Sequence, residues 1–509
     1  MSSSWLAAQG RLPLAFMGLG LLWLVAATAL LVAQPAALSL PHSHPHVVAL
    51  THAWVLGFFV SVACGSIYQL APVALGTTLW NERHGWWHAG LHAAGVPGMV
   101  YSFWIGDMKL LGHFGVLVAM GVGLFAHNTW KTVRRSERGG AVAWSIGLAA
   151  GWLLFTVLAG LTLAANRFWY FIPVDPLALL RAHAHLGLVG FFVTLLQGVG
   201  FQLLPMFTLG EVRDWRLAQA GLWLSQLGLI GLVTALVARA APWETGFVLV
   251  ILAGLVCSAL GLRRALATRR KRALDPGMTS FLRGGIGLLA AAVAGAFLVW
   301  PGSPWGSVPG GFSAMVYAVI AIVGGLLPCI AGMMCKIVPF LTWMRAYGPK
   351  VGRGYAPPAS TLTHPRLERW GLGLQQAAVA PLVIGAWLLD ATILRLGVGL
   401  LAVGVALFAA DMLGVLRHLW WPATAPAKRG RAAAKSAGAA RVESPMPPTC
   451  GARSPPSPTR SSRERRLSRA HLQRALRRGK RRRGDDVADP RSSGGIVNPR
   501  RSEGGRRMP

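Results

Sequence analysis

The chain is a succession of apolar runs, each long enough for a helix to cross roughly 30 Å of hydrocarbon, with short polar breaks between them. The runs fall near residues 12–33, 47–75, 85–105, 109–130, 141–164, 178–205, 216–239, 243–262, 284–300, 312–340, 370–390 and 393–421. Inside a bilayer every backbone N–H and C=O must be satisfied within the segment, so runs of this length dictate helices and exclude a soluble fold. The expected fold class is an all-α membrane protein with about twelve transmembrane helices. The first run is too long for a signal-peptide core and lacks a small-residue cleavage site, which predicts a retained first helix.

Composition agrees, with 53% hydrophobic and 13% charged residues. The formal net charge of +33 would suggest nucleic acid if it were spread over a folded surface. It is not. Residues 423–509 hold 23 Lys and Arg against 6 Asp and Glu, a difference of 23 − 6 = 17. Much of the rest sits in every second loop: 131–138, 263–274 and 345–369 are basic, while 33–46 and 300–311 carry no Lys or Arg. Basic loops stay on the cytoplasmic face, so a bacterial-type inner membrane with both termini cytoplasmic is expected, anchored by Trp-rich loop edges. No specific nucleic-acid partner is expected; the partner is the lipid bilayer. Of the five cysteines, Cys64, Cys257, Cys329 and Cys335 fall in apolar segments without CxxC spacing and read as small buried hydrophobes.

An internal repeat organises the runs. HAWVLGFFVSVACGSIYQLAP, from His52, matches HLGLVGFFVTLLQGVGFQLLP, from His185, without a gap at an offset of 185 − 52 = 133. Identities include His52 with His185, Gln69 with Gln202 and Pro72 with Pro205, residue types that unrelated apolar helices seldom share in register. A weaker third copy lies 134 further on, with Pro339 against Pro205 and Val319 at the histidine position. The second, sixth and tenth helices therefore correspond, predicting three parallel, pseudo-symmetric four-helix units over about 12–130, 141–262 and 284–421. Proline near each span's end is expected to stop or kink the helix, with Gln69 and Gln202 answering freed carbonyls.

Twelve helices in three four-helix arcs, with histidines on the second and sixth, resemble subunit I of the haem-copper oxidase superfamily, which includes cbb3-type oxidases and nitric oxide reductases. The resemblance covers roughly residues 12–421 and implies haem, with copper as a further cofactor, and an inner-membrane electron-transfer or oxygen- or nitric oxide-related redox role. It implies a cytochrome c-type electron donor or other respiratory subunits as partners. The second-helix histidine that binds low-spin haem in that family corresponds to His52, and the sixth-helix copper ligand lies near His183 or His185. The family's paired histidines after the sixth helix are missing, because no histidine occurs between His185 and His364. The tenth helix, VYAVIAIVGGLLPCIAGMMCKIVPFL, lacks its two haem histidines. Most of the oxygen-reducing site is thus absent, and the chain resembles a divergent member of the group or the haem- and copper-containing NnrS-type membrane proteins. The other function class is a permease or respiratory-complex assembly factor that keeps the scaffold without the cofactor.

The residues support the same candidates independently. Ionisable groups inside a membrane helix are costly unless they meet a partner or a cavity. At 1.5 Å per residue, His52, His185 and His113 lie about 8, 10 and 6 Å below the outer surface, one depth at which they could flank a haem. Alternatively each imidazole makes an interhelical hydrogen bond. His183 and His185 point about 200° apart on a regular helix, so one pocket should use only one of them, and His185 is the one in register with His52. His84, His88 and His92 form a stripe with four-residue spacing on the third helix, which fits a metal or second haem site, interhelical hydrogen bonds, or a proton path. His42, His44 and His46 lie in an outer loop that could take copper or zinc, or simply be solvated. Asp411 is expected to pair with Arg417, and Lys336 to snorkel to the interface.

From Pro422 onward the chain is rich in Arg, Pro, Ser, Gly and Ala and cannot bury a core. A disordered basic cytoplasmic tail over 422–509, lying against anionic headgroups, is one reading. A GC-rich gene read out of frame yields the same bias.

Overall fold

The computed structural model describes residues 10–136, 138–304 and 312–424. The chain divides into two units, 1–425 and 426–509, and the second, with the basic tail and Cys450, lies outside the described residues.

Among the described residues the protein is helical without strands. The long helices are α1 (Arg11–Ala33), α2 (Pro45–Leu75), α3 (Glu82–Ile105), α4 (Met108–Arg134), α5 (Ala141–Trp169) and α6 (Pro176–Thr208) in the first half. They continue as α7 (Trp215–Val237), α8 (Ala241–Ala267), α9 (Pro276–Val299), α10 (Ala314–Ala346), α11 (Pro365–Leu388) and α12 (Ala391–Leu419). Eleven of these are long and apolar enough to cross a membrane. The other, α3, has 24 residues but carries Glu82, Arg83, His84, His88 and His92, which lower its hydropathy. It nevertheless packs antiparallel along α2: His88 meets Tyr68, His92 meets Ser61, and Phe103 stacks on His52. Large apolar side chains such as Leu22, Ile230, Ile286 and Leu396 are exposed on the flanks, and exposed Trp residues cluster near helix ends. The chain is an integral membrane protein, and these flanks contact the lipid bilayer.

At eight helix starts a side chain accepts from the orphan N–H groups of the first turn. Asn81, Asp107, Asp214 and Asp390 accept from the first turns of α3, α4, α7 and α12. At α2, α6, α9 and α11 the cap precedes proline, as His44, Asp175, Asp275 and His364. Pro72 and Pro205 lie inside their helices and do not stop them, which removes one of the two outcomes expected from sequence. Each helix runs three residues further and ends on a left-handed residue, Gly76 at φ +64 and Leu209 at φ +55. Packing between α9 and α10 is close enough that a Cβ on Gly287 would strike the Gly324 carbonyl, the small-residue contact typical of membrane bundles. The four cysteines Cys64, Cys257, Cys329 and Cys335 are free thiols.

Three π-helical stretches interrupt α2, α6 and α10: Ala53–Val60, Leu186–Val193 and Ile320–Leu326. Their starts are 186 − 53 = 133 and 320 − 186 = 134 residues apart, the spacings of the sequence repeat. His52, His185 and Val319 each immediately precede one of them. A π turn widens the helix by one residue, releases a carbonyl from the regular ladder and rotates the rest of the helix about its axis.

Candidate functional site

A cavity of about 820 Å³ lies among α2, α5, α6, α8, α9 and α10, mostly apolar, with a rim reaching the exposed Arg167, Pro176 and Arg181. Its size is within the roughly 300–1,000 Å³ of ligand sites. His42, His52, His183 and His185 line it, as do Tyr317, Leu50 and Val319.

The repeat explains how these groups meet. Leu50, His183 and Tyr317 occupy one repeat position, since 183 − 50 = 133 and 317 − 183 = 134, while His52, His185 and Val319 occupy another. His52 of the first unit faces His183 of the second, with ring centres 6.3 Å apart and planes within 21°. His185 of the second unit faces Tyr317 of the third, with Tyr317 donating to His185 Nε2 at 3.3 Å. The remaining positions, Leu50 and Val319, are apolar. Two of three related corners of the cavity are therefore polar.

The tautomers are set by the partners. His52 Nδ1–H donates to the Val48 carbonyl at 2.8 Å, leaving the Nε2 lone pair free, and Phe103 stacks on the ring at 4.8 Å. His185 Nδ1–H donates to the Arg181 carbonyl at 2.8 Å, so its Nε2 is the acceptor that Tyr317 uses. His183 Nδ1 is buried without a hydrogen-bond partner, although the ring also meets the Thr156 backbone. At the mouth, burial and the neighbouring Arg181 lower the pKa of His42, whose ring nitrogens have no hydrogen-bond partners.

The sequence-based site is corrected in two respects. His113 does not join the group: it is exposed, donates to the Lys109 carbonyl and lines no part of the cavity. His183 and His185 both line the one cavity, because α6 stands between the first and third units and both its flanks face inward. The imidazole opposite His52 is His183, not the one in sequence register.

The α3 stripe splits. His88 Nδ1 bonds Tyr68 OH at 3.0 Å, and His92 Nε2 lies 3.0 Å from Ser61 Oγ and 3.1 Å from the Leu56 carbonyl. His84 sits apart, between the rings of Trp80 and His127. Among the described residues no three His, Cys, Asp or Glu side chains form a group able to hold a metal ion. In the outer loop His44 caps α2 by accepting from His46 N–H, and His46 stacks on Trp104, so the histidines there are separately employed. Asp411 does not pair with Arg417; its Oδ1 accepts the His364 N–H at 2.6 Å and holds the start of α11. Lys336 reaches Asp275, the cap at the start of α9, at 2.6 Å.

Sequence reasoning missed Tyr317 and the π turns. Tyr317 was visible only as the third-unit counterpart of His183. No family model matches the chain, and no curated protein matches it.

Proposed function

We propose that the chain is a membrane haem protein built on a scaffold like haem-copper oxidase subunit I, in a bacterial-type inner membrane with both termini cytoplasmic, and that His52 and His183 are the iron ligands. The observation that carries this is their separation. Two imidazoles sharing one metal at about 2 Å per metal–nitrogen bond have ring centres about 6 Å apart, and these two are 6.3 Å apart at the wall of an 820 Å³ apolar cavity. The unpartnered His183 Nδ1 and the free His52 lone pair fit an acceptor that the protein itself does not supply.

Held by His52 and His183, a haem would supply one-electron transfer in preference to gas binding. His52 is held in the ligating tautomer by Val48, the arrangement by which a backbone carbonyl orients a metal-bound imidazole and raises its basicity. Phe103 closes one side against water. Arg167 and Arg181 at the rim suit the carboxylates of an amphipathic macrocycle. A cytochrome c-type donor or another respiratory subunit would approach from this rim. Copper has a weaker place, at His185, whose Nε2 Tyr317 already occupies.

The full chain, purified in detergent, is expected to show a Soret band that shifts on reduction and is lost in His52→Ala and His183→Ala but kept in His113→Ala. A colourless, iron-free preparation would sink the proposal and leave a cofactor-free permease or assembly factor with an apolar ligand in the same cavity.

A further inference from the structure

The connection between α1 and α2 forms one side of the cavity mouth, and it carries two buried nitrogens that nothing in the protein answers. It is a built segment. Pro35–Ser39 forms a 3-10 turn that packs on α12, and the turn at 41–44 is closed by the His44 N–H donating to the Pro41 carbonyl at 2.8 Å. Ala37, Leu38, His42 and Ser43 of this segment line the cavity. Both ring nitrogens of His42 are buried without a hydrogen-bond partner. A neutral imidazole is a donor at one nitrogen and an acceptor at the other, and buried polar groups left unmet are costly. His44, two residues on, is already spent on the cap of α2.

Three charged side chains share the cavity lining with His42: Arg167 of α5, Arg181 of α6 and Glu244 of α8. Arg181 belongs to no ion pair among the described residues; Asp175, whose carboxylate feels its charge, pairs with Arg239 at 2.8 Å. Glu244 also feels the Arg181 charge without pairing to it. The repeat does not account for these groups. Val48 and Met315 stand where the second unit has Arg181, since 181 − 48 = 133 and 315 − 181 = 134, and Asp175 stands where the first has His42, since 175 − 42 = 133. They are additions to the threefold scaffold at the outer end of the cavity. His52 lies 52 − 45 = 7 residues, about 10 Å, below the start of α2, which His42 precedes, and Arg181 is two residues outward of His183 on α6.

We infer that His42 and Arg181 hold a carboxylate of the molecule that enters the cavity, and that binding it brings a proton onto His42, so that occupancy and proton uptake are linked. On the haem reading, which this inference assumes, the carboxylate is an acid side chain of the porphyrin directed outward from the iron ligands. In the protein alone, burial and the Arg181 charge hold the His42 pKa below 6.5, so the imidazole is neutral at neutral pH. An anion beside both groups offsets the second cause and favours the imidazolium, whose N–H donates to the carboxylate in a charge-assisted hydrogen bond. His42 therefore titrates at a higher pH with the ligand bound than without it, and the proton it gains comes from water. Affinity then rises as pH falls through the bound-state value and levels off below the free-state value. The charged groups facing His42 are Arg181 on α6, Arg167 on α5 and Glu244 on α8, with His44 on its own segment; the arginines keep their charge throughout.

The test titrates the full chain, purified haem-free in detergent, with haemin and with haemin dimethyl ester, which has the same iron and porphyrin without free carboxylates; binding is read from the Soret band. Wild type should prefer haemin over the ester by about tenfold, and His42→Ala should lose most of that preference. An equal preference in the two proteins overturns the carboxylate assignment and leaves the haem reading standing. His42→Gln keeps a hydrogen-bond donor that takes up no proton. Relative to it, wild-type affinity for haemin should rise about threefold or more between about pH 8 and about pH 6, and Glu244→Gln should follow wild type. A ratio of wild type to His42→Gln that stays constant with pH, or a pH effect that disappears in Glu244→Gln, overturns the proton linkage. If neither porphyrin gives a Soret shift, the haem reading falls and this inference falls with it.

Discussion

The first and second four-helix units answer the same backbone defect with different chemistry. In both, a π turn presents a carbonyl to a hydroxyl five residues on: Ser61 donates to Leu56 at 3.4 Å and Thr194 to Val189 at 3.1 Å. In both, the next helix adds a polar side chain. The first unit uses His92, backed by His88 and Tyr68. The second uses Gln226, which donates to Thr194 at 2.8 Å and accepts from Trp152 Nε1 at 2.6 Å, beside a Gln197–Ser225–Ser258 cluster. Phe201 stands where the first unit has Tyr68, since 201 − 68 = 133. In these two units the same π turn is met by polar side chains of different chemistry, whereas the third unit has Pro328 at the hydroxyl position. The second unit's amide can only hold its hydrogen bonds.

The largest effect should come from His88→Ala, which opens a void against Phe16 and Phe125 and strands the Tyr68 hydroxyl. We expect a loss of about 3 kcal/mol, read from thermal or denaturant unfolding in detergent. Gln226→Ala strands the Trp152 N–H in the second unit and should cost about 2 kcal/mol. If the second unit proved the more fragile, the idea that its seam is only a hydrogen-bonded filler would fail.

The third unit extends the contrast. Lys336 stands where the others have Gln69 and Gln202, since 336 − 202 = 134 and 202 − 69 = 133, and it pairs with Asp275. Burial pushes the Asp275 carboxyl up, but Lys336, the Met278 N–H and Lys271 outweigh it and hold its pKa below the ordinary 3.8. A carboxylate with a depressed pKa stabilises the fold above its unfolded value, and that contribution is lost as pH falls from 3.8 through the folded value. Asp275→Asn, which keeps a cap, should cost about 1 kcal/mol at neutral pH. Its difference from wild type should shrink below pH 3.8; a constant difference across that window would remove the charge from the account.

The smallest effect concerns helix ends. Gly76 and Leu209 are repeat partners, since 209 − 76 = 133, and both are left-handed. Only the second bears a Cβ there. Leu209 is exposed, so Leu209→Gly loses little packing and should stabilise by about 0.5 kcal/mol, the strain of a left-handed L-residue less the entropy of glycine. A decrease in unfolding temperature would show that Leu209 makes contacts worth more than its strain.

Much of the candidate site was legible as a set of residues and little of it as a geometry. His52 stood out because it recurs as His185 on an apolar helix. That His183 is the residue facing it could not be seen, because helical phase counted at 3.6 residues per turn ignores how α6 is rotated between its neighbours. The pairing also joins different repeat positions in adjacent units, a relation that aligning like with like conceals. His113 shared the depth of the others but lies on an outward face, and depth is all that counting residues supplies.

The amino-acid order by itself determined the apolar segments, their sequence, the threefold repeat and the placing of basic loops. Each reflects a residue-by-residue preference for hydrocarbon or water, which needs no knowledge of neighbours. Only the tertiary structure decided which imidazoles share a cavity, which are spent on interhelical hydrogen bonds and which face outward. Those outcomes depend on the rotation of each helix about its own axis, set by close packing and by the π turns, and a change of half a turn leaves every hydropathy value unaltered.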